Sequence, residues 1–356
     1  MNVIYSSSDL YSELAAISIV SLLVNNSDVD DINIYIIDKG ISEEHKRILR
    51  EMVESYGRNL FYLENIDIEK IASRKISVGR WHISTFSRLF MLQVLPKNIH
   101  KVIYIDCDMI IRYSLKSLWK MDMEGTWVMS ADDCRGKKYR ENIGIPLDSI
   151  YTNNGLMVID LDAWRANDVE TKFIKFIKKY DGDITYVDQG VVNGVFQPLK
   201  KVKLLPIAYN AQTACYDLGY EGLNACRKPV WAYSKDQFEK DIEDPIIVHF
   251  TTCFLSNTRP WLKKDNHPYR EEFLRYRGMT AWKNEPLWND TTPIMKKVMT
   301  ASCKVMPKPL TFVIICIFHA WVYPFIRNVK NHVNNNHERL VLPIKSGELS
   351  NENFND

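Results

Sequence analysis

The chain has no two cysteines at the C-x-x-C spacing, and its seven cysteines are odd in number. A disulfide framework needs paired cysteines and a thiolate zinc site needs closely spaced ones. Both are therefore disfavoured, and a reducing compartment is expected. The first residues have neither a basic stretch nor a long apolar run, so we expect no signal peptide and a cytoplasmic location.

A large excess of one charge is also missing, because 46 basic residues face 44 acidic ones. A nucleic-acid-binding protein normally has a strongly basic face, so this function is excluded. The sequence has no internal repeat and no low-complexity tract. The one uneven region is residues 291–340, which hold seven Lys or Arg and one acidic residue, Glu338. An electrostatic partner is therefore expected at the C-terminal end.

Short β-rich segments alternate with segments of helical periodicity in the first half of the chain. "NVIYSSS", "INIYIID" and "KVIYID" predict strands, whereas "SELAAISIVSLLVNN", "SEEHKRILREMVESYG" and "STFSRLFMLQVLP" predict helices. Between residues 201 and 244 the pattern is weaker. The alternation predicts an α/β fold with a mostly parallel sheet that is covered by helices on both faces.

Asp106 and Asp108 follow the apolar run "KVIYI", at the point where a strand would reach the edge of this sheet. Ligands of such sheets bind beyond the carboxyl ends of the strands, and residues two apart share one face. Two converging carboxylates repel each other unless a cation lies between them, so Mg²⁺ or Mn²⁺ is expected. The alternative is a strand exit with two solvated aspartates.

His249 ends a second β-branched run, "PIIVH", and Arg259 follows in "RPW". A neutral imidazole at this place could bind the same metal, and mixed carboxylate and imidazole ligands favour Mn²⁺ over Mg²⁺. The guanidinium of Arg259 suits a phosphate oxygen. The alternative for His249 is an ordinary core or surface histidine.

Three further groups have both a functional and a structural interpretation. Asn153 and Asn154, followed by a glycine, could bind a polyhydroxylated ligand or form a simple turn. Asp188 and Gln189 open a predicted helix, where Asp188 could face the cleft or act as the N-cap. Arg88 could contact a ligand or be a solvated charge on an amphipathic helix.

The segments "YIDCDMII", "NNGLMVIDLDAWR", "DQGVVNGVF" and "HFTT…RPW", in this order, resemble the retaining glycosyltransferases of family 8. The similarity runs from Met1 to about Trp261. That family includes bacterial lipopolysaccharide galactosyl- and glucosyltransferases and glycogenin. The resemblance implies a Rossmann-like GT-A fold with a mostly parallel mixed sheet. It also implies Mn²⁺ (or Mg²⁺) and transfer of a hexose from UDP-glucose or UDP-galactose to a glycan or glycolipid acceptor, forming an α-linkage.

The resemblance also implies a role for single residues. Asp106, Asp108 and His249 would be the metal ligands. Three residues would be catalytic: Asp188 and Gln189 at the donor sugar, with the Gln189 side chain facing the anomeric carbon, and Asn153, which would match the Asn of the family's N-A-G turn. Donor contacts would come from Ser8, Asp9, Tyr11, Arg88, Asp106, Cys107, Asp133 (or its neighbour Asp132), Asn154 and Arg259.

Two departures from the family pattern concern the donor site. The start of the family's nucleotide site often reads A-x-D-D-x-N-Y, and here Ser8 replaces the first Asp while Leu10 stands where Asn is frequent. The closing H-x-x-G-x-x-K-P-W is longer here and has no glycine between His249 and Trp261. Asp188 is the one candidate for a nucleophile, and we favour a same-face substitution that needs none.

An apolar run of 17 residues, 310–326, is flanked by lysine and arginine. It is short for a spanning helix, which needs about 20 residues. The basic flanks and aromatic residues favour a helix that lies in the headgroup region of an anionic membrane surface, and the alternative is a buried helix. We therefore expect a catalytic domain over residues 1–265, a helical membrane-associating region over 266–340, and a disordered tail over 341–356.

The expected location is the inner face of the bacterial cytoplasmic membrane, with the protein bound peripherally. Two other functions stay open at this stage. The chain could be a non-catalytic module that binds sugar nucleotides or glycans. It could also glucosylate itself as glycogenin does, on one of its 18 tyrosines.

Overall fold

The computed structural model describes residues 1–64, 66–68, 83–253, 259–323 and 325–326 of the chain. The predicted alternation of strands and helices begins at the second residue. The elements of the N-terminal part are β1 (Asn2–Ser7), α1 (Ser12–Asn25), β2 (Asn33–Asp38), α2 (Glu43–Ser55), β3 (Asn59–Leu63), a 3₁₀ segment (Ile83–Gln93), β4 (Lys101–Ile105), β5 (Met109–Ile111) and α3 (Lys116–Lys120).

The second part of the fold has shorter strands. Its elements are β6 (Val128–Ser130), α4 (Lys138–Glu141), β7 (Leu156–Asp160), α5 (Leu161–Ala166), α6 (Val169–Lys179), α7 (Asp188–Phe196), β8 (Val202–Leu204), β9 (Ala211–Gln212), α8 (Thr213–Arg227), α9 (Lys235–Glu243) and β10 (Ile247–His249). The helices at the C-terminal end are α10 (Arg270–Arg277), α11 (Ile294–Val305) and α12 (Lys308–Cys316), which a π-helical turn (Ile317–Val322) follows.

Seven strands form the central sheet in the order β3-β2-β1-β4-β7-β6-β8. β1 pairs in parallel with β2 and β4, and β2 with β3, whereas β7 runs antiparallel to β4 and β6. The α/β class and the mostly parallel mixed sheet are therefore confirmed. Because β2, β1 and β4 are parallel, their carboxyl ends lie at one edge of the sheet, where ligands bind in folds of this type.

Successive strand residues face two separate apolar layers. On one side Val3 and Ile103 pack with helix α1, and on the other Ile4 and Tyr104 pack with the 3₁₀ segment and α6. Helix α1 is buried from its first residue to Leu23, since the second, smaller sheet and α10 cover the side that the central sheet leaves free. This double coverage explains why α1 is apolar around most of its circumference.

The smaller sheet has the order β5-β10-β9. Its register pairs His249 with Met109 in antiparallel fashion and with Gln212 in parallel fashion. Met109 directly follows Asp108, so this sheet brings the end of β10 to the end of β4. Two segments about 140 residues apart in the chain are thereby joined at one edge.

One prediction of secondary structure differs from the fold, and one region without a prediction contains two helices. The segment "STFSRLFMLQ" is 3₁₀ and not α-helical, with non-helical dihedral angles at Phe90. Its buried residues include the neighbours Leu89, Phe90 and Met91, which one face of an α-helix cannot supply. Helices α8 and α9 lie in the region of weak pattern, and Gly219, with a φ of 62°, interrupts α8.

Helix α10 is fixed to α1 by a buried ion pair. Arg277 Nε donates to Glu13 Oε1 at 2.6 Å, and both side chains are 7% exposed. Trp288 Nε1 donates to the other oxygen of Glu13 at 2.7 Å. The packing of the core thus continues past residue 265, and the predicted division of the chain at that residue stays a prediction.

Helices α11 and α12 expose many apolar side chains, and α12 packs against α8. Among the described residues, no helix combines the length and the apolar character that crossing a bilayer would require. The predicted disordered tail, residues 341–356, lies outside the described residues.

We expect Arg277→Leu to lower the free energy of unfolding by about 3 kcal/mol, because it leaves the Glu13 carboxylate buried without its charged partner. Chemical denaturation followed by circular dichroism measures this change. Arg47→Leu is the matched control, since Arg47 and Glu51 form an exposed pair. It should cost less than about 0.5 kcal/mol. Equal losses in the two variants would show that α10 is not held by this pair.

Candidate active site

A cleft of about 720 Å³ lies at the carboxyl ends of β1, β2 and β4. This volume is typical of a small-molecule site. All the predicted site residues line it except Asp9, Asp133 and the alternative to Asp133, Asp132. Those in the wall are Ser8, Tyr11, Arg88, Asp106, Cys107, Asp108, Asn153, Asn154, Asp188, Gln189, His249 and Arg259.

Asp106, Asp108 and His249 form a compact cluster in this cleft. One ligand atom from each residue lies within 4.8 Å of the other two. His249 Nε2 is 3.3 Å from Asp108 Oδ1 and 4.0 Å from Asp106 Oδ2. The pairing of β5 with β10 creates this cluster, because it sets the histidine beside the strand exit that carries both carboxylates.

The second oxygen of each carboxylate accepts a hydrogen bond from an arginine. Arg88 Nη1 and Tyr104 Oη donate to Asp106 Oδ1 at 2.6 and 2.7 Å. Arg259 Nη1 donates to Asp108 Oδ2 at 2.7 Å. The remaining oxygens, Oδ2 of Asp106 and Oδ1 of Asp108, are therefore the ones that face the histidine.

A hydrogen bond to a neighbouring asparagine orients the imidazole of His249. Its Nδ1 lies 2.9 Å from Asn210 Oδ1, an oxygen that can only accept, so Nδ1 donates this hydrogen bond and Nε2 is the nitrogen that faces the two carboxylates. A hydrogen bond from the second ring nitrogen is typical of metal-binding histidines. Two carboxylate oxygens and one imidazole nitrogen form a ligand set that fits Mn²⁺.

Gly155 makes room for this imidazole. A Cβ atom at this position would lie 2.4 Å from His249 Cε1 and 2.8 Å from Met109 Cε, closer than side-chain atoms approach each other. The turn that the Asn-Asn-Gly sequence predicts is present, and both asparagine side chains are buried. The structural and the functional interpretation of this segment are thus compatible.

Burial and neighbouring charges strongly shift the pKa values of residues in and beside the cluster. Burial raises the pKa of Asp108, but His249 and Arg259 outweigh burial and hold this pKa well below its usual range. Burial lowers the pKa of Arg88, but Asp106 outweighs it and the net pKa is raised. The predicted alternative of a solvated Arg88 is therefore wrong, since its side chain is 13% exposed and paired.

Asp188 and Asn154 lie next to this cluster, at the start of α7 and before β7. Asp188 Oδ2 is 3.5 Å from Arg88 Nε and accepts a 3.4 Å hydrogen bond from Asn154 Nδ2. Burial raises the pKa of Asp188, with Asp106 adding to it and Arg88 opposing it. The N-cap position belongs to Val187, so the N-cap interpretation of Asp188 is wrong.

The backbone before Asp188 is strained. Tyr186 and Val187 have φ values of 61° and 48°, a region that β-branched residues rarely adopt. Such strain persists only where the surrounding structure enforces it, and it is often found at functional sites. Here it aims the first residues of α7 into the cleft.

Gln189 belongs to a buried network with Asn153 and Asp133. Gln189 Nε2 donates to Asp133 Oδ2 at 2.8 Å, and Asn153 Nδ2 donates to Gln189 Oε1 at 3.2 Å. Burial raises the pKa of Asp133, but Arg135 and Arg227 outweigh it and lower this pKa. Asp133 thus lies behind the cleft wall, where it orients Gln189.

Asp132 and Asp9 do not line the cleft. Asp132 is fully buried, its pKa is raised to about 7 by burial, and it accepts a hydrogen bond from the backbone of Cys134. Asp9 accepts a 2.9 Å hydrogen bond from the backbone N–H of Ser42 and lies 2.7 Å from His45 Nδ1. The carboxylate of Asp9 therefore contacts the start of α2.

Several residues of this site are missing from the sequence prediction. Ser6, Lys39 and Tyr186 line the cleft, and Asn210 orients His249. Ser6 and Lys39 lie at the carboxyl ends of β1 and β2, so the rule that identified Asp106 would have found them as well. No sequence signal marks Asn210, because a tertiary contact alone gives it this role.

Residues 2–265 match the family described as Glycosyl transferase family 8. General stress protein A of Bacillus subtilis is 26% identical over 287 residues, which cover 79% of this chain and 94% of that protein. Lipopolysaccharide 1,2-glucosyltransferase of Escherichia coli is 24% identical over 295 residues, which cover 80% of each. Lipopolysaccharide 1,3-galactosyltransferase of Salmonella typhimurium is 23% identical over 285 residues, which cover 78% of this chain and 77% of that enzyme.

Among solved structures, the galactosyltransferase LgtC in complex with donor and acceptor sugar analogs superposes with a TM-score of 0.65. It is 20% identical and covers 84% of this chain and 99% of its own. At this identity the likeness shows a shared GT-A fold. Because the family match extends over most of the sequence, the chain belongs to glycosyl transferase family 8.

Proposed function

We propose that the chain is a metal-dependent, retaining hexosyltransferase. It moves glucose or galactose from UDP-glucose or UDP-galactose to a glycan or glycolipid acceptor, in the synthesis of lipopolysaccharide, capsule or another surface polysaccharide. The observation that carries this proposal is the cluster of Asp106, Asp108 and His249 beside the buried pair Asp188 and Gln189. The relatives named as lipopolysaccharide glucosyl- and galactosyltransferases support the class of donor and acceptor.

The three oriented atoms of the cluster would hold Mn²⁺ or Mg²⁺. Such an ion, when bound, neutralises the charge that grows on a departing diphosphate. Arg259 lies where it can add to this effect. Its guanidinium is 4.9 Å from the ring centre of Trp261, and this ring and the carbonyl of Phe250 fix its orientation. A preoriented cation of this kind stabilises developing charge without further reorganisation.

Asp188, Gln189 and Asn153 would hold the donor sugar. Both ends of the Gln189 amide are already bonded, to Asp133 and to Asn153, so its position is fixed before the ligand arrives. The carboxylate of Asp188 is oriented by Arg88 and Asn154. Fixed groups of this kind place the anomeric carbon against the incoming hydroxyl at low entropic cost.

Retention follows from a same-face substitution in this proposal. The acceptor hydroxyl attacks from the side of the leaving diphosphate, and a diphosphate oxygen takes its proton. This route needs no protein nucleophile. The carboxylate of Asp188 fits a positioning role because two neighbouring side chains already hold it.

Release of nucleoside diphosphate tests the proposal. The purified chain is incubated with UDP-glucose or UDP-galactose, with and without a glycan acceptor, over a series of Mn²⁺ and Mg²⁺ concentrations. We expect metal-dependent release that an acceptor accelerates. Binding of the donor with no turnover would identify a non-catalytic module, and sugar attached to the chain itself would identify self-glucosylation.

Asp106→Asn should reduce kcat/KM for the preferred donor by at least about 100-fold, because it removes a charged metal ligand. The same nucleotide-release measurement checks this loss. Asp236→Asn is the control, since Asp236 is an exposed carboxylate on α9. If Asp106→Asn kept full metal-dependent activity, the assignment of the metal site would be wrong.

Gly155→Ala should weaken Mn²⁺ binding by about 10- to 100-fold, because the added methyl group displaces the His249 imidazole. Isothermal titration with Mn²⁺ alone measures this change without any turnover. Gly125→Ala is the control for an added methyl group: open space surrounds that position, although Gly125, unlike Gly155, has a positive φ. Unchanged Mn²⁺ affinity in Gly155→Ala would remove His249 from the ligand set.

We also propose that α11, α12 and the π-helical turn bind the anionic inner surface of the cytoplasmic membrane. Large apolar side chains protrude there, including Val305 at 88% and Phe318 at 52% exposure. Lys297 and Lys308 are exposed on the same helices. Apolar side chains together with lysines are the composition that binds an anionic lipid surface.

The double variant Val305→Glu and Phe318→Glu should lose most of its binding to phosphatidylglycerol liposomes, because two carboxylates would enter the lipid boundary. Co-sedimentation at low and at high salt measures binding, which should weaken as salt rises. Met279→Glu, at another exposed apolar residue, is the control. Binding that is unaffected by the double variant would contradict the proposed surface.

A further inference from the structure

Lys39 is a charged residue of the cleft that the proposed mechanism does not use. It directly follows β2, is half-buried and lines the cleft. Within the described part of the chain, its Nζ has neither a hydrogen bond nor an ion pair. The other two long cations of the cleft are matched: Arg88 pairs with Asp106 and Asp188, and Arg259 pairs with Asp108. Lys39 is thus the cleft's unmatched positive charge.

The fold sets Lys39 on the same face of the central sheet as Ser6 and Asp106. Strands β2, β1 and β4 are neighbours, and the alternation of side chains places residues 39, 6 and 106 on the same face of the sheet as Ile4 and Tyr104. Neighbouring strands are about 4.8 Å apart, and Lys39 lies two residues beyond Ile37, the partner of Ser6, so its Cα is about 12 Å from that of Asp106. Ser6 lies between them.

Among the residues that the structure describes, neither Lys39 nor Ser6 has the side-chain partners that buried polar groups normally have. The hydroxyl of Ser6 is buried, and its oxygen has no hydrogen-bond partner. Burial lowers the pKa of Lys39, and Arg88 lowers it further. Nearby Cys107, Asp106 and Asp188 oppose this shift without outweighing it. Holding an ammonium beside a guanidinium costs free energy unless an anion compensates. Two such groups side by side in one wall point to a ligand with anionic or carbonyl oxygens.

We propose that Lys39, together with Ser6, binds the nucleotide part of the donor. The ammonium donates a charge-assisted hydrogen bond to one oxygen of the nucleoside diphosphate, and the Ser6 hydroxyl bonds a second oxygen. This inference rests on the proposed function, because it needs a nucleotide donor in this cleft. It adds a cation that attracts the nucleotide independently of a metal ion.

The strand order explains why Lys39 serves the nucleotide and not the transferred sugar. Asp106 lies at the end of β4, between β1 and β7. The groups proposed for the sugar, Asn153 and Gln189, lie on the β7 side of this residue, whereas Lys39 lies on the β2 side. A donor whose diphosphate sits at Asp106 therefore extends its nucleoside toward Ser6 and Lys39.

Titration calorimetry with UDP, which has no sugar, tests the inference on the full chain, once with Mn²⁺ and once with a chelator. We expect Lys39→Met to weaken UDP binding by about 10- to 100-fold in both conditions, because a charge-assisted hydrogen bond is lost. Lys39→Arg should retain most of the affinity, and Ser6→Ala should lose less than Lys39→Met. Lys97→Met, at an exposed lysine, is the control.

Thermal unfolding of the same variants separates binding from folding. Without nucleotide, Lys39→Met should unfold at the same or a higher temperature than the natural chain, because the repulsion from Arg88 is gone. If Lys39→Met binds UDP as tightly as the natural chain does, the inference is wrong and the proposed function stands. If the natural chain binds no UDP in either condition, the proposed function and the inference both fail.

Discussion

The repulsion between Asp106 and Asp108 is the constraint on which the site depends. Two carboxylates at one strand exit can both stay ionised only if positive groups surround them. The fold supplies two such groups from distant parts of the chain, Arg88 from the 3₁₀ segment and Arg259 after β10, and it also sets Nε2 of His249 beside both carboxylates. The contacts that join these distant segments therefore also compensate the charges of the two carboxylates.

Much of this arrangement could be predicted from the sequence, for identifiable reasons. The strands of the central sheet are continuous apolar runs because both faces of the sheet are buried. Such runs can be recognised in the sequence as strands. Asp106, Asp108 and His249 interrupt or end these runs, which marks them as residues at the sheet's edge. The 3₁₀ segment was predicted as an α-helix since its apolar residues were visible but their geometry was not. Helix α8 was missed because Gly219 divides its pattern.

The supporting residues of the site were much harder to predict. Asn210 is important only because a three-dimensional contact sets it behind the ring of His249, and nothing local distinguishes it from other asparagines. Asp132 and Asp133 are neighbours of one type, and only packing decides that the second one reaches Gln189. The sequence does not mark Lys39 for another reason. A lysine after a strand is the usual solvated end of that strand, and only its burial makes it unusual.

Helix α8 connects the active site to the C-terminal helices. Its first residue follows β9, whose Gln212 pairs with His249, and its last turns contact α12 at Phe312. Gly219 divides α8, and at a rise of about 1.5 Å per residue its second piece, residues 220–227, spans about 12 Å. If α12 rests on a bilayer, α8 acts as a spacer between the bilayer and the cleft. An acceptor anchored in that bilayer must then carry a glycan long enough to bring its terminal hydroxyl up to the cleft.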